Sequence, residues 1–147
     1  MAVTFQFVTD TSAMCAFDLG ALRHRLDDDA DWWSVPREEL AEINAGNVAF
    51  INLGADGRYE AAIVEERQPG GVVVRLRCPT GRIFVGSGEE VTGDGVEPEA
   101  IRVGGFVEVA PGAWELSITR NGVRITVGIT PISSEDAHNA FESLVSI

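Results

Sequence analysis

The stretch 104–131, GGFVEVAPGAWELSITRNGVRITVGITP, limits the possible folds of this chain more than any other part of the sequence. Its Asn121-Gly122 pair is typical of a two-residue hairpin turn, because both residue types tolerate positive φ. A turn closed on that pair predicts a register on the apolar face that sets Arg120 opposite Val123, Ile118 opposite Ile125, Leu116 opposite Val127 and Trp114 opposite Ile129. The other face is polar, as expected for a half-buried antiparallel sheet.

A second turn is predicted just upstream, at residues 110–113, where Pro and Gly are adjacent. It would set Val109 opposite Trp114 and Val107 opposite Leu116. The two turns together predict three antiparallel strands in chain order. In this register Trp114 belongs to the buried face and is a core residue.

Further segments typical of strands recur at short spacing, with Gly- and Pro-containing turns between most of them. They are residues 3–8, 13–17, 47–53, 59–65, 72–78, 82–87 and 101–103. The spacing predicts an all-β fold, an antiparallel β-sandwich of about eight or nine strands with one or two short helices.

Helical patterns are confined to residues 18–46 and to the C-terminus. The first predicted helix follows Asp18, and the second begins at Pro36, turns Leu40 and Ile43 inward and ends at Gly46. Residues 133–147 allow either a helix or a closing strand over 141–147. We favour the strand, because the last open edge of a sandwich needs a partner.

The chain of 147 residues has the size of one domain, and residues 1–147 are predicted to form it. Its first residues have no basic region followed by an apolar run, so a secretory signal is not expected and the cytoplasm is the default compartment. Cys15 and Cys78 are far apart and have apolar neighbours. We expect both to be reduced, buried strand residues, although the sequence leaves a disulfide open.

The formal net charge is −12, from 11 basic and 23 acidic residues. Such a charge argues against direct binding to nucleic acid or to an anionic membrane. Two interpretations remain open. The charge serves solubility, or it forms a surface that attracts a basic protein.

Motifs for catalysis or cofactor binding are weak. Only His24 and His138 offer side chains that titrate near neutral pH, and no nucleophile, zinc or phosphate-loop motif accompanies them. Asp27, Asp29 and Asp31, with Glu38, have the carboxylate spacing of a calcium loop. However, Trp32 stands at the sixth position, where such a loop needs Gly. We therefore predict no enzyme activity, no cofactor and no metal site.

The aromatic residues Trp32, Trp33, Tyr59 and Trp114 are of the kind that stacks on sugar rings, yet such residues more often fill a core. Adjacent residues of a regular strand cannot both point inward. One of Trp32 and Trp33 is then a plausible exposed anchor for a protein contact, beside an acidic run.

Two motifs resemble a known family. The Gly46–Phe50 stretch GNVAF follows an acidic, Trp-containing helical segment, and plain strands lead to VEVAPGAWEL at residues 107–116. This order is similar to that of competence protein J, a small acidic β-sandwich inhibitor of a bacterial DNA-entry nuclease, and of related bacterial proteins. The likeness covers roughly two-thirds of the chain, and its best motif is common among β-sandwiches. The resemblance implies an inhibitor or immunity protein and maps no inhibitory residue onto this sequence.

These observations favour a non-enzymatic, acidic protein-binding module whose partner is a basic protein such as a nuclease or toxin. The alternative is a small-ligand module for carbohydrate or calcium. Electrostatic complementarity would mainly speed association, and an apolar anchor would add affinity. The candidate protein-binding residues are Asp27, Asp28, Asp29, Asp31, Trp32 and Trp33.

Overall fold

A computed structural model describes residues 3–23, 35–88 and 104–147. Within these ranges the chain forms ten strands, two short α-helices and one 3-10 helix. In chain order they are β1 Val3–Thr9, β2 Ala13–Asp18, α1 Leu19–Leu22, α2 Pro36–Asn44, β3 Ala49–Asn52, β4 Gly57–Val64, β5 Val72–Cys78, β6 Arg82–Ser87, β7 Gly104–Glu108, β8 Gly112–Asn121, β9 Arg124–Ile132, the 3-10 helix Ser134–Asp136 and β10 Val145–Ser146.

The strands form two sheets of five. The first sheet has the order β1-β4-β9-β8-β5, and the second has the order β10-β3-β2-β6-β7. Both contribute to one hydrophobic core, with Phe7 and Leu116 from the first sheet and Met14 and Ile51 from the second, all at most 1% exposed. Neither helix in the described part of the chain has the length and apolar character needed to cross a membrane.

The prediction of an all-β fold is confirmed, and the predicted bounds of β5 and β6 agree with the structure. The predicted strand direction is only partly right. Of the eight strand pairings among the described residues, six are antiparallel, whereas β4–β9 and β10–β3 are parallel. Both parallel pairs join strands far apart in sequence, which local alternation of apolar and polar residues cannot reveal.

The predicted register of the β8–β9 hairpin is wrong by two residues. Asn121 pairs with Arg124, and Ile118 pairs with Val127. The turn residues are Gly122 and Val123, and within the turn positive φ is confined to Gly122, at 63°. Glycine at the first turn position suits a type II′ turn, which moves the closure one residue along the chain. A shift of two preserves the two faces, so the predicted apolar face is still the buried one.

The predicted three-stranded meander is also wrong, because β7 and β8 lie in different sheets. Val107 of β7 pairs with Ile83 of β6, while Trp114 of β8 pairs with Leu76 of β5. The turn that contains Pro111 therefore carries the chain from one sheet to the other. Alternation is the same for a strand that pairs with its neighbour in sequence and for one that crosses over.

The polar face of β8 is less exposed than predicted. Ser117 is buried, and its hydroxyl accepts a 2.8 Å hydrogen bond from the backbone N–H of Gln68 and lies 3.3 Å from the carbonyl of Gly128. Glu115 is 9% exposed and forms an ion pair with Arg67 at 3.3 Å. The chain between β4 and β5 therefore covers this face.

The C-terminal segment contains a strand, as favoured, but only over two residues. Val145 pairs with Ile51 of β3, so β10 is the edge of the second sheet. Before it, Asn44 of α2 bonds both the N–H and the carbonyl of Phe141, at 2.8 and 3.0 Å. The segment is thus held by side-chain bonds where a longer strand was expected.

Helix α2 turns two carboxylates inward. Ile43 is buried, as predicted, but Leu40 is only half-buried, while Glu39 and Glu42 are 6% and 5% exposed. Glu42 accepts a 2.7 Å hydrogen bond from the side chain of Asn47. Burial raises the pKa of Glu39 from 4.5 to about 7, because it penalises the charged form.

Candidate functional site

The residues predicted to bind a partner, Asp27, Asp28, Asp29, Asp31, Trp32 and Trp33, lie outside the described residues, and so does His24. The structure therefore does not test them, and they stay predictions. His138, the other candidate for a catalytic base, is exposed. Tyr59, a candidate for stacking on sugar rings, is buried. Within the described ranges, no three His, Cys, Asp or Glu side chains are grouped to hold a metal ion.

A groove beside β7, with a volume of about 540 Å³, is a feature of the described surface that suits a ligand. The first sheet supplies Val3, Ile63, Trp114 and Ile129 to its wall, and β7 and the residue after it supply 106–109. Most of the lining is apolar. The groove is an unfilled end of the space between the two sheets.

Trp114 forms part of this groove and is not the core residue predicted. It is half-buried, and its indole Nε1 donates a 2.9 Å hydrogen bond to the carbonyl of Ala110. Its position near the start of β8 brings it to the end of the core. Because the polar edge of the indole is satisfied within the protein, the remaining ring surface is available as an apolar contact.

Two exposed carboxylates, Glu65 and Glu108, belong to the same groove. Glu65 follows the last residue of β4, and Glu108 ends β7. In a chain with a net charge of −12, they give the apolar groove an acidic margin. Such a margin attracts cationic ligands and disfavours anionic ones.

A second depression, of about 390 Å³, lies on the other face of β7. It is more polar and includes Arg23, Thr80 and Arg82, and it shares Phe106, Glu108 and Val109 with the groove. The guanidinium of Arg82 lies 3.8 Å from the centroid of the Phe106 ring. The edge of β7 is therefore flanked by a depression on each face.

The buried carboxylate nearest to this second depression has a structural role. Asp18 is fully buried and accepts hydrogen bonds from the backbone N–H groups of Gly20, Thr80 and Gly81, each at 2.9 Å, and from the Thr80 hydroxyl at 2.7 Å. It caps α1 and fixes the β5–β6 turn. With four donors already bonded, its oxygens are committed to the fold.

The two cysteines offer no reactive thiol. Both are buried and neither forms a disulfide, as predicted. Cys15 Sγ donates to the carbonyl of Ser87 at 3.2 Å. Burial, and to a lesser degree the charge of Asp18, raises the pKa of Cys78 to about 12, so its nucleophilic thiolate form is suppressed.

The sequence is matched over residues 1–147 by the model of a family described as "Family of unknown function (DUF6386)". The chain belongs to this family. No curated protein matches its sequence.

A solved structure titled "Crocagin biosynthetic gene J" is similar to this DUF6386 chain, with a TM-score of 0.55 and 11% sequence identity. The similarity covers 89% of this chain and 98% of that one. At this identity the similarity concerns the fold alone.

Sequence reasoning missed the groove because its lining comes from strand ends far apart in the chain, in β1, β4, β7, β8 and β9. One signal was present. Trp114 follows a Pro-Gly turn at the very start of a strand, and a large aromatic residue at a strand end is closer to the margin of a core than to its centre.

Proposed function

We propose that this protein is a non-enzymatic, acidic protein-binding module, which receives an apolar segment of a basic partner protein in the groove beside β7. The observation that carries the proposal is the combination of a large apolar groove with Glu65 and Glu108 beside it. Apolar contact area would provide most of the affinity, and the carboxylates would favour partners with Lys or Arg next to the inserted segment.

The partner class follows from charge. A chain with a net charge of −12 associates fastest with a positively charged protein, such as a nuclease or a toxin that itself binds nucleic acid. An inhibitor or immunity protein of the cytoplasm is one form of this function. For the fold, we interpret the two five-stranded sheets as a β-sandwich of mixed strand direction.

The groove also supports the alternative function, that of a small-ligand module. Its volume lies within the range of about 300–1,000 Å³ that small-molecule sites occupy. The mostly apolar lining favours an apolar ligand over a sugar, whose hydroxyl groups need several polar partners.

The test uses a phage library of random peptides selected against the immobilised protein. The protein is attached through a biotin at its C-terminus, because Val3 of the groove wall lies close to the N-terminus. We expect selected peptides to combine aromatic or branched aliphatic residues with Lys or Arg. Their affinity should fall at least about tenfold in Val64→Arg, which places bulk and positive charge at the groove.

The matched control is Val123→Arg. Val123 is 62% exposed and lies in the β8–β9 turn, at the other end of the hairpin from Trp114. Selected peptides that bind Val64→Arg as tightly as the wild type would overturn the proposal. If no peptide is selected but the neutral dye Nile red binds and is lost in Val64→Arg, the small-ligand alternative replaces it.

A further inference from the structure

Strand β7 is the last strand of the second sheet, and no described residue pairs with it on its outer side. On its inner side, the ladder with β6 runs from Gly104 opposite Gly86 to Glu108 opposite Arg82. Unpaired N–H and C=O groups at such an edge are a template for another strand.

The direction of the backbone groups can be read from the end of this ladder. Val109 donates its N–H to the carbonyl of Gly81, the residue before β6, at 2.7 Å. The N–H of Val109 therefore points to the side on which β6 lies. Because alternate residues of an antiparallel strand direct their backbone groups to opposite sides, those of Val107 also point to β6. The N–H and C=O groups of Phe106 and Glu108 then point to the outer edge.

The side chains of β7 alternate between the two faces of the sheet. Gly105 lies against the ring of Phe5 in the first sheet, so closely that a Cβ at this position would be 2.2 Å from a ring carbon. Val107 and Val109 therefore also face the first sheet, while Phe106 packs edge-on against Phe84 on the opposite face.

The groove includes four consecutive residues, 106–109. A depression that covered one face of the strand would include alternate residues, whereas one that runs along the edge includes successive residues. The second depression, on the opposite face, shares Phe106 and Glu108 with the groove, and Val109 at the end of the strand lines both. A strand placed beside β7 would thus meet an apolar depression on one face and a polar depression on the other.

We propose that the partner binds as an added β-strand along the outer edge of β7, in an extended segment whose alternate residues are apolar. This inference rests on the proposed function and names its binding mode. Backbone bonds to Phe106 and Glu108 would set the register. The apolar side chains would enter the groove, and the intervening polar ones would face Thr80 and Arg82.

The probe is the peptide acetyl-KTVTFTVTK-amide with a fluorescein label, whose apolar residues alternate with threonine and whose terminal lysines suit the acidic margin. Binding is followed by fluorescence anisotropy. We expect a saturable signal that falls at least about tenfold in Glu108→Pro, since proline removes an outward N–H from the edge. Glu108→Ala removes only the carboxylate and should lose at most about threefold.

Two N-methylated versions of the peptide test the binding mode by removing backbone N–H groups of the peptide. One is N-methylated at its three apolar residues and the other at its four threonines. A strand directs the N–H groups of only one set to β7, so only one version should lose binding. Equal effects of the two versions, or equal binding by Glu108→Pro and Glu108→Ala, would overturn strand addition.

The same measurements separate the two proposals. Loss of the probe in Val64→Arg, without the N-methylation pattern, leaves the groove as a binding site and rejects the added strand. Unchanged binding in Val64→Arg rejects the groove itself. No binding at protein concentrations of about 1 mM also rejects strand addition for this sequence pattern. Thermal unfolding of Glu108→Pro, compared with that of Glu108→Ala, verifies that the edge still folds.

Discussion

Trp114 and Arg120 lie on the same face of β8 at opposite ends of the hydrophobic core, roughly 20 Å apart along the strand. Arg120 donates through Nη1 to the carbonyls of Leu53 and Ile147, at 2.6 and 3.1 Å. Trp114 has its one polar bond to Ala110, and its ring forms part of the wall of a groove. One end of the core is therefore tied by hydrogen bonds, and the other is open to a ligand.

Replacing Arg120 tests the end of the hydrophobic core that its hydrogen bonds tie. In Arg120→Met the apolar stem is kept, but the carbonyls of Leu53 and Ile147 lose a charged donor. We expect the free energy of unfolding to fall by about 1–3 kcal/mol, measured by urea denaturation. The control is Arg124→Met, which removes an exposed ion pair with Glu60 and should cost at most about 1 kcal/mol. Equal losses would contradict a special role for Arg120.

Replacing Asp18 tests the anchor of the β5–β6 turn. Asp18→Asn keeps the shape but turns an NH₂ group toward the N–H and O–H donors of Gly20, Thr80 and Gly81. We expect a loss of about 2–4 kcal/mol in the free energy of unfolding.

Asp56→Asn is the matched control for Asp18→Asn. The Asp56 carboxylate accepts an exposed bond from the Ser12 hydroxyl at 2.7 Å, so its loss should stay below about 1 kcal/mol. If thermal unfolding gives the same shift for both variants, the network around Asp18 does not hold the turn.

The sequence predicts the features that neighbouring residues specify, and it does not predict those that depend on residues distant in the chain. Strands β5 and β6 were predicted with the observed bounds, because apolar runs between Gly- and Pro-containing turns specify them locally. The hairpin register failed, since Asn121-Gly122 suits two closures and the conformation of Gly122 selects between them. The crossing of β7 to the second sheet has no local signal, and the groove has only the position of Trp114 after a Pro-Gly turn, because both need partners distant in the chain. The candidate residues at 27–33 lie outside the described residues, so that prediction stands as it was made.

The side chain of Asn139 protects the edge of the first sheet in the manner of a strand. It accepts from the N–H of Arg75 at 2.9 Å and donates to the carbonyl of the same residue at 3.0 Å. In Asn139→Ala we expect the Arg75 amide to lose hydrogen-exchange protection and the free energy of unfolding to fall by about 1–2 kcal/mol. His138→Ala changes an exposed neighbour and should leave that amide protected. Retained protection in Asn139→Ala would mean that the backbone of the C-terminal segment covers β5 without this side chain.

The last prediction concerns pH and Glu39, whose pKa is raised by burial from 4.5 to about 7. The folded state binds this proton more tightly than the unfolded state, so the contribution of Glu39 to stability is greatest at low pH. It decreases as the pH rises from about 4.5 to 7. Removing the charge should therefore stabilise the protein at pH 8, by on the order of 2–3 kcal/mol, and should have little effect near pH 4.5.

The measurement compares thermal unfolding of Glu39→Gln with that of the wild type between pH 4.5 and pH 8.5. The control, Glu135→Gln, makes the same substitution at an exposed position of the 3-10 helix. A stability difference between Glu39→Gln and the wild type that stays constant across this range would contradict the prediction. It would mean that Glu39 has the same proton affinity in the folded and unfolded states, contrary to the effect of its burial.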